Sequence, residues 1–147
     1  MGETTIWYDG EVDVARLNKR EQDSLSSHLG IEVVAIGPDW VRARMPVDNR
    51  TRQIHGRLHG GASVALCETA GSLAANLTLD PSQSIAVGLE INANHVRPVK
   101  SGFVEAKAQA ESLGRTTQIW GIRVEDENGK LVCLSRLTMA VIPLERK

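Results

Sequence analysis

The run from Leu58 to Leu79 constrains this chain more than any other stretch, and its core reads Leu58-His59-Gly60-Gly61-Ala62-Ser63-Val64-Ala65-Leu66-Cys67-Glu68. Glu68 is the only formal charge in the run, set among Ala, Gly, Leu, Val and Ser. The pattern predicts a loop passing into a helix that is small or apolar on every side, and such a helix is normally enclosed by protein on every side. A lone carboxylate placed there is costly unless it is paired, protonated or used in chemistry. Two readings of Glu68 follow. It is either a structural carboxylate, paired with an arginine or capping a backbone group, or a catalytic base or nucleophile.

The surroundings of that helix set the fold class. A surface helix is expected over about Asp13 to His28, within an N-terminal segment 11–29, with Gly30 as its C′ residue. Ile31 to Ile36 reads as a strand, and Trp40-Val41-Arg42-Ala43-Arg44-Met45-Pro46 alternates apolar and basic residues as a half-buried strand does. Asp48 to Arg57 is a polar loop carrying Gln53, His55 and Arg57 towards a site. After the central helix, Asp80-Pro81 stops the backbone ladder. Long strands are then expected at Ser84 to Val96, Phe103 to Leu113, Thr116 to Val124 and Leu131 to Leu144. Asn128-Gly129 marks a hairpin between the last two, since both residues can take positive φ. Strands grouped around one buried helix give an α+β fold with an antiparallel sheet, in a single domain over 1–147 whose core is about 31–142. One sheet covers only one side of a helix, so a second copy of the chain is the simplest cover for the other side.

Composition removes several function classes. A net charge of -1 gives no basic field for nucleic acid. Cys67 and Cys133 lack CxxC spacing, so neither a disulfide framework nor a zinc site is expected, and a reducing cytoplasm suits them. Met1-Gly2-Glu3-Thr4-Thr5 has no signal-peptide pattern. The Leu58–Leu79 run approaches bilayer length, but Glu68, Asn76, His59 and the many small residues favour a core helix over a membrane span. The four histidines (His28, His55, His59, His95) are not spaced as metal ligands, and no G-x-S-x-G elbow, H-E-x-x-H, P-loop or G-x-G-x-x-G is present. Ser63 and Ser72 read as packing residues.

Spacing within the helix carries a further expectation. Gly60 and Gly61 open it, where unpaired N–H groups can face a developing oxyanion. Glu68 lies eight residues on, about 12 Å away along the helix axis. One helix therefore cannot bring both groups to one carbonyl, and a site shared between subunits is expected.

With Gln53, His59-Gly60-Gly61, Glu68 and Gly88-Leu89-Glu90-Ile91-Asn92-Ala93-Asn94-His95 in view, the chain resembles the hotdog-fold acyl-CoA thioesterases over roughly Ile31 to Ile142. The nearest branch includes the Arthrobacter-type 4-hydroxybenzoyl-CoA and the 1,4-dihydroxy-2-naphthoyl-CoA thioesterases. The resemblance implies a sheet wrapped around the central helix, a homodimer with joined sheets assembling to a homotetramer, and hydrolysis of an aromatic or other compact acyl-CoA without metal or redox cofactor. By position it makes Glu68 the nucleophile or general base and Gly60 the backbone oxyanion donor. Gln53 would orient the carbonyl or the water, and His59 would hold the turn. Ser72 and Leu73 would face the acyl pocket. Gly88, His95, Arg97 and the Gly114-Arg115-Thr116 turn would contact coenzyme A, whose phosphates favour guanidinium groups. The chain departs from its relatives at Ile54-His55-Gly56-Arg57-Leu58, where they commonly carry Pro and an aromatic, and at Arg115-Thr116, where Ser-Arg is usual. A hotdog hydratase or dehydratase and a non-catalytic acyl-CoA-binding protein are the alternatives.

Overall fold

The computed structural model describes residues 3–145. Its centre is the helix α3 (Gly60–Leu77), crossed by six strands: β1 (Glu32–Ile36), β2 (Trp40–Pro46), β3 (Ser84–His95), β4 (Phe103–Leu113), β5 (Thr117–Asp126) and β6 (Leu131–Pro143). They form one antiparallel sheet in the order β1-β2-β4-β5-β6-β3, with β1 and β3 at its edges. This is the α+β arrangement expected, with the sheet packed against the helix.

Small residues on α3 make that packing close. Ala70, Ala74 and Ala75 are fully buried, as are Leu66 and Cys67. They meet the inward positions of the strands, where the period-2 pattern reads as expected: Val41, Ala43 and Met45 are buried on β2 while Arg42 and Arg44 point outward. Gly71 marks the nearest approach. A methyl group there would lie 2.6 Å from Leu137 Cδ2 and 3.2 Å from Ile122 Cδ1. Cys67 and Cys133 are buried free thiols, and the hydrogen bond that Cys67 donates to Cys133, together with burial, pushes the Cys67 thiol up.

The N-terminal segment departs from the expected single helix. It forms two helices, α1 (Val14–Arg20) and α2 (Leu25–His28), with Asp23 at φ 59 between them. Two side-chain demands break the run. Asn18 turns to β1, where it donates to the Val33 carbonyl and accepts from the Val33 N–H at 2.9 and 2.8 Å. Ser24 caps a new helix by accepting from Ser27 N–H at 3.2 Å. The exit is as expected: Gly30 has φ 74, and Ile31 and Gly30 donate to Ser26 and Ser27 in a Schellman motif. Trp7, in the irregular leader, is a core residue, 5% exposed and stacked on Trp120 with ring centres 6.4 Å apart.

The β5–β6 hairpin also differs in detail. Only Gly129 takes positive φ; Asp126 accepts from the N–H groups of Asn128 and Lys130 and shapes the turn instead. No helix among the described residues is long and apolar enough to cross a membrane.

Alanine has the higher helix propensity, yet Gly71→Ala is expected to destabilise the protein by about 1–3 kcal/mol, because the added methyl overpacks the contact with β6. Urea unfolding of the two proteins measures this.

Candidate active site

The helix start is built by an unusual cap. His59 precedes α3 in extended backbone, and its Nδ1 accepts from the Gly61 N–H at 2.8 Å. That ring nitrogen therefore carries no proton in this arrangement. Ala62 and Ser63 donate to the His59 carbonyl. The Gly60 N–H is thereby left without an acceptor among the described residues. Beside it stands His95 of β3: a methyl group on Gly60 would lie 3.0 Å from the His95 Nε2. Glycine at 60 keeps the helix end open next to an imidazole.

The loop before the helix is held from below by Thr51, which is 1% exposed. Its hydroxyl donates to the Pro46 carbonyl at 2.7 Å and accepts from Asp48 N–H, and its carbonyl accepts from His59 N–H. Arg50 grips Asp48 at 2.7 Å and holds that carboxyl below the usual range. Residues 53–57 then close a tight turn: Gln53 N–H donates to Arg57 O, Gly56 has φ 78, and the Gln53 side-chain oxygen accepts from His55 N–H. Gln53 is half-buried here, while Ile54 at the tip is 95% exposed.

Glu68 sits two turns into α3, half-buried, beside the edge strand β3. It makes no ion pair among the described residues. It lines a groove of about 940 Å³ together with Thr69, Ser72, Leu73, Asn76 and Leu77 of the same helix. The N-terminal segment walls the groove through Trp7, Val12 and Leu17, and Ser84 and Ile85 of β3 close the other side. Gly88 of β3 lies directly against the Glu68 carboxylate.

The structure thus gathers the expected residues into two groups on one chain. His59, Gly60 and His95 meet at the helix start; Glu68, Ser72, Leu73 and Gly88 meet at the groove. About 12 Å of helix separates the groups. Arg97 is exposed past the end of β3, with its Nε donating to the Leu131 carbonyl. The Gly114-Arg115-Thr116 turn lies at the opposite end of the sheet. Thr117, Ala140 and Val87 form one row across β5, β6 and β3, whereas His95 pairs with Cys133. From Val87 to His95 is about 25 Å of strand, so one chain does not bring Arg97 and Arg115 together.

Two residues of this region were not singled out from the sequence. One is Thr51. The other is Asn76, whose side chain donates to the Ala86 carbonyl and accepts from the Ala86 N–H at 3.0 and 2.9 Å. The signal for Asn76 was its place in the stripe Glu68, Ser72, Asn76 at four-residue spacing. Thr51 pairs locally with Pro46 and Asp48, a common loop pattern that does not by itself point to the His59 turn.

Comparison with known proteins places the chain in a family. Residues 55–133 match the model of the thioesterase superfamily. A crystallised thioesterase from Haemophilus influenzae superposes with a TM-score of 0.92 at 51% identity, covering 97% of this chain and 98% of that one. The 1,4-dihydroxy-2-naphthoyl-CoA hydrolase of Escherichia coli is 44% identical over 93% of this chain and 99% of its own length. The proofreading thioesterase EntH of Cronobacter turicensis is 48% identical over 86% of this chain and 91% of its own. The chain belongs to the thioesterase superfamily. It is a thioester hydrolase with the hotdog fold.

Replacing Asn76 by Ala leaves both backbone groups of Ala86 without their partner. The expected loss is about 1–3 kcal/mol of stability, read by urea unfolding, with faster amide exchange at Ala86.

Proposed function

We propose that this protein hydrolyses an acyl-CoA with an aromatic or other compact acyl group, and that Glu68 is the reacting carboxylate. The observation that carries this reading is Glu68 itself: a half-buried acid with no ion-pair partner among the described residues, lining a groove whose walls are part apolar (Val12, Leu17, Leu73) and part charged (Asp13, Arg16, Arg20). The acyl group lies along Ser72 and Leu73. The kinship with the Escherichia coli and Cronobacter enzymes supports the choice of acyl-CoA.

A thioester carbonyl is activated and thiolate is a good leaving group, so the reaction proposed needs neither metal nor redox cofactor. Glu68 either removes a proton from a water that attacks the carbonyl carbon, or attacks that carbon itself to give a mixed anhydride that water then opens. Both routes place negative charge on the carbonyl oxygen, and the free Gly60 N–H is suited to receive it. Gln53 orients the carbonyl or the water, and His59 holds the turn by capping Gly61. The hydratase alternative loses ground here, since the His59 Nδ1 is already engaged by the backbone.

The 12 Å between Gly60 and Glu68 on one helix means that each site takes Gly60 from one subunit and Glu68 from another. The same sharing brings Arg97 and His95 of one chain towards Arg115, Gly114 and Thr116 of another, so that both arms reach the coenzyme A phosphates. Gly88 faces Glu68 from β3. The assembly is a homodimer joined through β3, doubled to a homotetramer, and the protein works in the cytoplasm.

Glu68→Gln is expected to lower kcat by roughly a hundredfold or more in a hydrolysis screen over benzoyl, hydroxybenzoyl, naphthoyl, phenylacetyl and medium-chain acyl-CoAs. Full activity of that variant would overturn the assignment. A single turnover in labelled water separates the routes, since label in the enzyme carboxylate means an anhydride. Site sharing is tested by mixing subunits. Gly60→Pro removes the N–H at a helix position where proline is favoured, and its ring also crowds the His95 imidazole. Mixed dimers of that variant with Glu68→Gln regain activity if the site is shared, and stay inactive if each chain builds its own.

A further inference from the structure

Glycine inside a strand weakens it and is kept where another group must approach the backbone closely. The glycines of this chain can be sorted by what would meet an added methyl. At Gly71 it is the core side chain Leu137, and at Gly114 it is the Thr117 carbonyl 2.7 Å away. At Gly88 it is Glu68 alone: Oε1 at 2.6 Å and Cδ at 3.7 Å, with no other neighbour within 4 Å. The φ of Gly88 is not positive, so its backbone is open to any residue. Neither backbone conformation nor core packing calls for glycine at position 88. The carboxylate does.

Two features fix this recess opposite Glu68. The β3–β6 register shifts between Gly88 and Glu90, a bulge that leaves Leu89 as the extra residue, 63% exposed. Two residues earlier, Asn76 holds both backbone groups of Ala86. Asn76 thereby ties β3 to the same helix that carries Glu68, and sets which strand residue faces the carboxylate.

We propose that Gly88 is a positioning residue for Glu68: the missing side chain at the β3 bulge is the recess in which the carboxylate is held, with the Asn76–Ala86 clamp keeping the recess in register. This rests on the reading of Glu68 as the reacting group. A methyl at position 88 pushes the carboxylate to another rotamer while leaving the fold intact. A misplacement of about 1 Å at a reacting centre can cost up to roughly a hundredfold in rate.

The test is Gly88→Ala, made alone and in the Glu68→Gln background, with an acyl-CoA that the parent enzyme hydrolyses. Alone, it is expected to lower kcat by about 10–100-fold with KM within about threefold, at a melting temperature equal to or above that of the parent. In the Glu68→Gln background the same substitution is expected to change the residual kcat by less than about twofold, since the group it displaces is already disabled. Two outcomes overturn the proposal while leaving Glu68 as the reacting group: Glu68→Gln is inactive but Gly88→Ala retains the parent kcat, or Gly88→Ala costs as much in the Glu68→Gln background as alone. A fully active Glu68→Gln overturns the reading of Glu68 and this inference with it.

Discussion

Close packing of a small-residue helix against a sheet is the contact on which the rest of this structure depends. Ala70, Gly71, Ala74 and Ala75 let β5 and β6 come within methyl distance of α3. The sheet can then reach along the helix as far as the edge strand β3. A helix with larger residues on that face would be held further off, and β3 would no longer meet Glu68. The distance at which the core packs therefore decides whether the only charged side chain on the helix has a strand beside it.

Much of this was readable before any coordinates. The β2 strand showed itself because its two faces differ in chemistry, Val41, Ala43 and Met45 against Arg42 and Arg44. Glu68 showed itself as a single charge in a run that otherwise avoids charge. The residues that escaped notice depend on partners far away in the chain. Asn18 matters because its amide serves the backbone of Val33 on β1, and Asn76 matters because Ala86 lies opposite it. Neither partner can be read from the sequence around the asparagine. Gly88 is an intermediate case: as a glycine in a strand it invited explanation, but only the tertiary structure says which group fills the space.

Electrostatics and hydrogen bonding divide the helix into two ends with different tasks. At its start, His59 supplies an acceptor to Gly61 and so leaves the preceding N–H of Gly60 open, a site suited to negative charge. Its far end is closed differently. Thr78 donates its hydroxyl to Ala75, Gln118 donates to Thr78, and Trp120 donates to Gln118, so a chain of polar groups seals the last turn under the Trp7–Trp120 stack. The contrast is physical. A sealed end adds stability, while an open one keeps a donor free at some cost in it.

The pairing of Asn76 with Ala86 also bears on what the sheet can do at its exposed margin. Val141 on β6 sends its N–H to Thr116, on the side away from β3, so the two backbone groups of Ala86 point outward. An outward row of such groups invites further strands, and unguarded margins of that kind lead to open-ended association. The amide of Asn76 imitates one residue of an incoming strand and occupies the place that strand would need. The stretch of β3 around Ala86 is thereby closed to an incoming strand.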